Sequence, residues 1–197
     1  SENEDLFVAL RAFFEASSMV DRTEFSDFVL PLMERAPSIA VMGWAPRVSE
    51  TERSTFEQSA RDAGIADFEI WERDSKNGTG PAGGTSEFFP ITYVEPFEAN
   101  RAVLGFDLNS DVALRQSLGH MVATGEPVFI PQNRPGQIGD TLTDAILVGP
   151  MYSDGTARAS GARSGTARGL LFLGFSPQAL VENAIAQINA HDIELYL

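Results

Sequence analysis

The chain of 197 residues has no cysteine and only two histidines, His120 and His191. Without thiols there is no disulfide framework, no thiol nucleophile and no cysteine-ligated zinc or iron–sulfur site. The histidines fall in neither an HxxxH nor an HxH spacing, which points to surface or helix-end contacts rather than a metal centre. Basic residues are also scarce, 14 against 28 acidic ones, giving a formal charge of −14 and a pI near 4.4. Such a surface repels nucleic-acid backbones and anionic membranes, which argues against both as partners. No run reaches the roughly 20 apolar residues of a membrane helix. The start, "SENEDLF", is acidic where a signal peptide is basic. If the chain is a piece of a longer protein, the segments that anchor it to a membrane are expected outside this sequence.

Catalytic signatures are thin as well. No serine sits in a G-x-S-x-G elbow, and the glycines of residues 74–86 lack the strand-to-helix context of a phosphate loop. No cofactor, catalytic residue or metal ligand is expected. Carboxylates are abundant, with Glu95, Glu98 and Asp107 interrupting apolar runs, so a carboxylate pair for acid–base work stays open. The plainer reading puts Glu95 and Glu98 in solvent at a hairpin end. Asp107, inside "LGFDL", needs a partner such as Arg47, Arg115 or backbone N–H groups.

What the chain does have is a 43% hydrophobic content, enough for one good core or two small ones. Leu6, Leu10, Phe13, Phe14 and then Phe25, Phe28, Val29, Leu32 recur at helical spacing, predicting one long N-terminal helix or two with a bend near 17–23 and a cap at Asp21 or Thr23. An extended segment over 38–48 precedes a capping box, Ser49-x-x-Glu52, and a helix ending at Gly64. Residues 67–73 alternate like a strand and 74–86 read as a flexible loop. "EFFPITYVEPFEANRAVLGFDL" (87–108) predicts two strands of a hairpin. Ser110 then caps a helix closed by Gly125, with strands at 127–131, 144–152 and 169–175 and a last helix capped by Ser176. Residues 155–168, with their Ala-Arg repeats, read as a solvated hairpin extension. This order of elements predicts an α+β fold with antiparallel sheets.

Several separated motifs then share one order with a known family. They are Trp44-Ala45-Pro46-Arg47-Val48, Glu52-Arg53, Phe56-Glu57, Ala60-Arg61, Phe89-Pro90-Ile91, Tyr93, Glu95-Pro96, Asn100, Gly105-Phe106-Asp107-Leu108, Thr124-Gly125 and Pro150-Met151-Tyr152. In these the chain resembles the CHASE domain, the extracytoplasmic sensor module of membrane-anchored histidine kinases and of diguanylate and adenylate cyclases, and the resemblance covers nearly the whole chain. It implies a single domain, residues 1–197, in three parts. These are an N-terminal helical segment over 1–37, a membrane-distal PAS-like part over about 38–155, and a membrane-proximal PAS-like part made by about 156–197 with the chain near 38–48. It also implies a non-enzymatic module on the periplasmic or extracellular side of a membrane, a small-molecule ligand and a homodimer through the N-terminal helix. Plant cytokinin receptors read their ligand with an aspartate and a threonine; the matching positions here are Pro96 and Val148, so the polar readers of a cytokinin are not in place.

Strand alternation joined to that resemblance proposes a ligand wall of Phe89, Ile91, Tyr93 and Glu95, faced by Phe106, Val148, Pro150 and Tyr152. Two other readings stay open: a carboxylate-dependent hydrolase and a ligand-free dimerisation module.

Overall fold

The structure is a computed structural model that describes residues 2–17, 19–73, 78–131, 145–152 and 167–175. The expected last helix at Ser176 and the hairpin extension of 155–168, apart from its final two residues, lie outside the described residues.

The N-terminal periodicity resolves into two helices, α1 (Glu2–Ala16) and α2 (Arg22–Arg35), rather than one long one. The restart is local chemistry: Asp21 accepts from the Glu24 N–H at 2.9 Å while Glu24 accepts from the Asp21 N–H at 3.1 Å, a complete capping box. Then follow β1 (Ile39–Pro46), β2 (Val48–Ser49), α3 (Arg53–Asp62), β3 (Trp71–Arg73), β4 (Thr79–Pro81), β5 (Glu87–Phe88), β6 (Tyr93–Glu95), α4 (Phe97–Asn100), α5 (Val112–Thr124), β7 (Val128–Pro131), β8 (Ala145–Tyr152) and β9 (Ala167–Phe175). Mixed helices and antiparallel strands make the chain an α+β protein.

Among the described residues the main sheet has five strands in the order β6-β1-β9-β8-β7, every neighbouring pair antiparallel. Its two faces are both buried. On one, Phe7, Leu10 and Phe14 of α1 and Phe25 and Val29 of α2 pack against Met42, Trp44, Leu171, Leu173 and Met151. Removing each such side chain from water contributes about 1.5–3 kcal/mol. On the other, Leu114 and Met121 of α5 pack with Val41, Ile146, Val148, Leu170 and Phe172. Glycines let the layers close: a Cβ on Gly43 would enter the Phe172 ring, and one on Gly149 the Phe7 ring.

Beside the sheet lies a smaller cluster of Val48, Ala60, Phe68, Ile70, Ala82 and Phe88, gathered around α3 and the β2–β5 and β3–β4 pairs. Arg53 ties it together, its guanidinium donating to the carbonyls of Ile70 (2.8 Å) and Ala82 and to Glu57 (3.1 Å). Glu57 in turn accepts from the Ile70 N–H at 3.0 Å.

Three local expectations change. Ser49 does not cap α3, whose N-cap is Glu52; Ser49 lies in β2, and only the Glu52 half of the box forms, accepting from the Ser49 N–H at 3.1 Å. Ser110 does not cap α5 either: Asp111 does, accepting from the Leu114 N–H at 2.9 Å. Ser110 instead donates to the Asp107 carbonyl at 2.6 Å within a 3-10 turn. The glycine-rich stretch after residue 77 is not all loop, since Thr79–Pro81 pairs with Trp71–Arg73.

Candidate ligand site

Residues 87–108 do run out and back, but with a break that decides the site. Ile91 donates to Phe106 O (3.0 Å), Gly105 to Ile91 O (2.8 Å) and Leu108 to Phe89 O (3.0 Å), so 89–91 and 105–108 lie side by side. At Thr92 the chain leaves this partner: its N–H donates to Trp44 O (2.9 Å) and its hydroxyl turns back to Pro90 O (3.0 Å). From Tyr93 on, β6 pairs with β1.

That turn breaks the alternation on which a single wall depends. Phe89, Ile91, Phe106 and Val148 lie in the α5-side core. Pro150 opposes Leu170 of the same core, and the Tyr152 hydroxyl donates to Val122 O of α5 at 2.6 Å. Tyr93 and Glu95 point through the other face. Tyr93 packs against the helix-side core and donates to Val20 O at 3.2 Å. Glu95 accepts from the Ser26 hydroxyl of α2 at 2.7 Å and from the Phe97 N–H at 2.9 Å. Glu95 is thus buried, not solvent-facing, and the Glu95–Pro96 peptide is cis.

Asp107 is 1% exposed. Its Oδ1 accepts from the N–H groups of Phe89 (2.7 Å) and Asn109 (3.0 Å), so of the partners considered, backbone donors hold it. Arg47 pairs with Glu87 instead. Burial pushes the Asp107 carboxyl up to about 6, outweighing those two bonds.

Of the eight wall residues, Tyr93 also borders an open cleft. It is a cavity of about 350 Å³ where the N-terminus of α2 (Asp21, Arg22, Thr23) meets Phe56, Ser59 and Ala60 of α3, Ile65 beyond it, and Thr92. A cavity of this size with mostly apolar walls and a few polar groups suits a small organic molecule. Burial, with Asp21 and Glu24 close by, raises the Tyr93 phenol pKa above its ordinary value, so it stays a hydrogen-bond donor. Arg22 and Ile65 also border a second cavity of about 280 Å³, toward Asp67, Phe97 and Arg101. The sequence reading put Tyr93 on a wall with Phe89 and Ile91 rather than in this cleft, named Phe56 only within a family motif, and did not single out Ile65 or Arg22. The signal available was Phe56, the one large apolar side chain of α3.

The fold and these clefts define an α+β domain with ligand-sized openings at the seam between its helical layer and its smaller lobe. Comparison with known families places it further: the CHASE domain family matches residues 18–197, and the chain belongs to that family of sensor domains. It is also similar to hybrid signal transduction histidine kinase A of Dictyostelium discoideum, 30% identical over 109 residues. That alignment takes in 54% of this chain and 5% of the far longer kinase.

Proposed function

We propose that the chain is the extracytoplasmic input domain of a membrane-anchored signalling receptor, binding a small molecule and passing its occupancy to an output domain. The observation that carries this is the cleft at Tyr93, in a chain whose family is one of sensors. A ligand there touches α2 and α3 together, so it can bias how the N-terminal helices sit on the smaller lobe. The bias is limited to the ligand's differential affinity for the two arrangements. The similarity to a histidine kinase supports kinase output over a diguanylate or adenylate cyclase.

In chain order the five strands of the main sheet are arranged 2-1-5-4-3, which supports the PAS-like reading. One five-stranded sheet takes β6, β7 and β8 from the 38–155 part together with β9 from the 156–197 part, so the strand pairing favours no boundary at 155. The helix-mediated homodimer is proposed through the outer side of α1, where Val8 is 62% exposed, because Phe7, Leu10 and Phe14 are taken up by the chain's own sheet. The domain itself is read as non-catalytic.

The test is a metabolite screen by thermal shift. A true ligand at 100 times its dissociation constant stabilises by about 2.7 kcal/mol, and Tyr93→Ala removes the shift. If the ligand sits instead among Phe89, Ile91, Phe106, Val148, Pro150 and Tyr152, Tyr93→Ala leaves the shift in place and Val148→Phe removes it. A screen in which no compound gives a saturable shift sinks the sensor reading.

A further inference from the structure

The cavity that shares Arg22 and Ile65 with the Tyr93 cleft is bordered by two arginines in a protein of formal charge −14. Arg22 and Arg101 both border it, with Ile65, Phe97 and Leu104 as apolar wall and Asp67 as the one carboxylate among its described lining. Arg22 is held in place without being neutralised. Its guanidinium lies 3.5 Å from the centre of the Phe97 ring, and among the described residues it has no ion pair or side-chain hydrogen bond. Stacking on an aromatic face leaves the edge of a guanidinium, with its N–H donors, free to point elsewhere. Among the described residues, the Arg101 side chain makes one loose contact, with Glu98 at 3.8 Å, both side chains largely exposed.

Resting on the sensor reading above, we infer that the ligand is an organic carboxylate with an apolar body, its acid group read by Arg22, which borders both cavities, with Arg101, and its body lying on Ile65 toward Phe56 and Tyr93 of the first cleft. The planar fork of arginine matches a carboxylate with two parallel hydrogen bonds, and a guanidinium already stacked loses little freedom in making them. A formal charge of −14 opposes anions at long range. An arginine without a counter-ion is therefore where such a chain can accept one. Asp67 at the same cavity offers a carboxylate to an ammonium, so the acid can be simple or an amino acid. Both share the carboxylate.

The experiment titrates the 197-residue chain, in buffer free of carboxylates and phosphate, with 3-phenylpropionate, 3-phenylpropionamide, phenylalanine and hexanoate, following amide chemical shifts. The acids move resonances of Arg22, Phe97 and Arg101 saturably and the amide does not. Arg22→Gln weakens the binding acid at least tenfold, about 1.4 kcal/mol. Arg101→Gln weakens it less, and Arg22→Lys falls between. An unchanged far-UV spectrum and unliganded melting curve show that the variants fold. Tighter binding of phenylalanine than of 3-phenylpropionate identifies an amino acid; the reverse identifies a simple acid. Equal binding of acid and amide, no response to any acid, or full affinity in Arg22→Gln overturns the inference. Those results leave the sensor reading standing if the metabolite screen finds another ligand, and only an empty screen removes both.

Discussion

The carboxylate of Asp107 accepts a 2.7 Å hydrogen bond from the backbone N–H of Phe89, 18 residues earlier. This pins the returning segment to residues 89–91, the stretch just before the chain turns at Thr92 into β6. Asp107 Oδ2 is buried with no hydrogen-bond partner among the described residues.

Because its folded pKa is raised from 3.8 to about 6, the folded state holds the Asp107 proton more tightly than the unfolded chain does. Its contribution to stability therefore grows as pH falls from about 6 to about 4, and above pH 6 the buried charge costs up to about 3 kcal/mol. In Asp107→Asn this component is absent, so wild type gains on the variant as pH drops from 7.5 to 4.5 in urea unfolding. A difference between the two that does not change with pH contradicts the assignment.

Gly149 lets Phe7 of α1 lie directly on β8, and a Cβ there would enter the Phe7 ring and meet Pro127 at 3.0 Å. Gly149→Ala is expected to lower stability by about 1–3 kcal/mol through overpacking. Gly64→Ala, with φ +96 and open space around the added methyl, costs only its backbone strain, about 1 kcal/mol. Chemical denaturation of the two variants separates the mechanisms.

Asp111, not Ser110, supplies the cap of α5. Asp111→Ala should cost about 1 kcal/mol, within the usual range for a lost N-cap, and speed amide exchange in the first turn of α5. Ser110→Ala should leave that turn's exchange unchanged.

Arg53 holds α3 to two carbonyls of the smaller lobe, and its side chain is 17% exposed. Arg53→Ala leaves those carbonyls and Glu57 without their donor, a loss of about 2–3 kcal/mol. Faster hydrogen exchange confined to 53–73 and 79–88 checks it. Faster exchange spread evenly over β1, β8 and β9 would instead mean that the smaller lobe and the sheet unfold as one unit.

Much of the local structure was legible in the sequence because it rests on interactions within a few residues. Asp21 and Glu24 close their capping box alone, Gly125 takes φ +71 at the end of α5, and the apolar runs read at 127–131, 144–152 and 169–175 become β7, β8 and β9. The family could be read too, since motifs in order survive without knowledge of their contacts. Alternation along 89–95 failed as a guide because the chain changes partner at Thr92, whose N–H goes to Trp44 O and whose hydroxyl goes to Pro90 O, before β6 pairs with β1.

By itself, then, the sequence determined the elements, their α+β class and the family, all set by short-range patterns and residue order. Only the tertiary structure decided which face each wall residue joins, that Asp107 is held by backbone donors, and that Arg22 stacks on Phe97 at the edge of an open cleft. Those relationships join residues as many as 75 positions apart, from Arg22 to Phe97. They depend on how layers close on one another, which no spacing along the chain encodes.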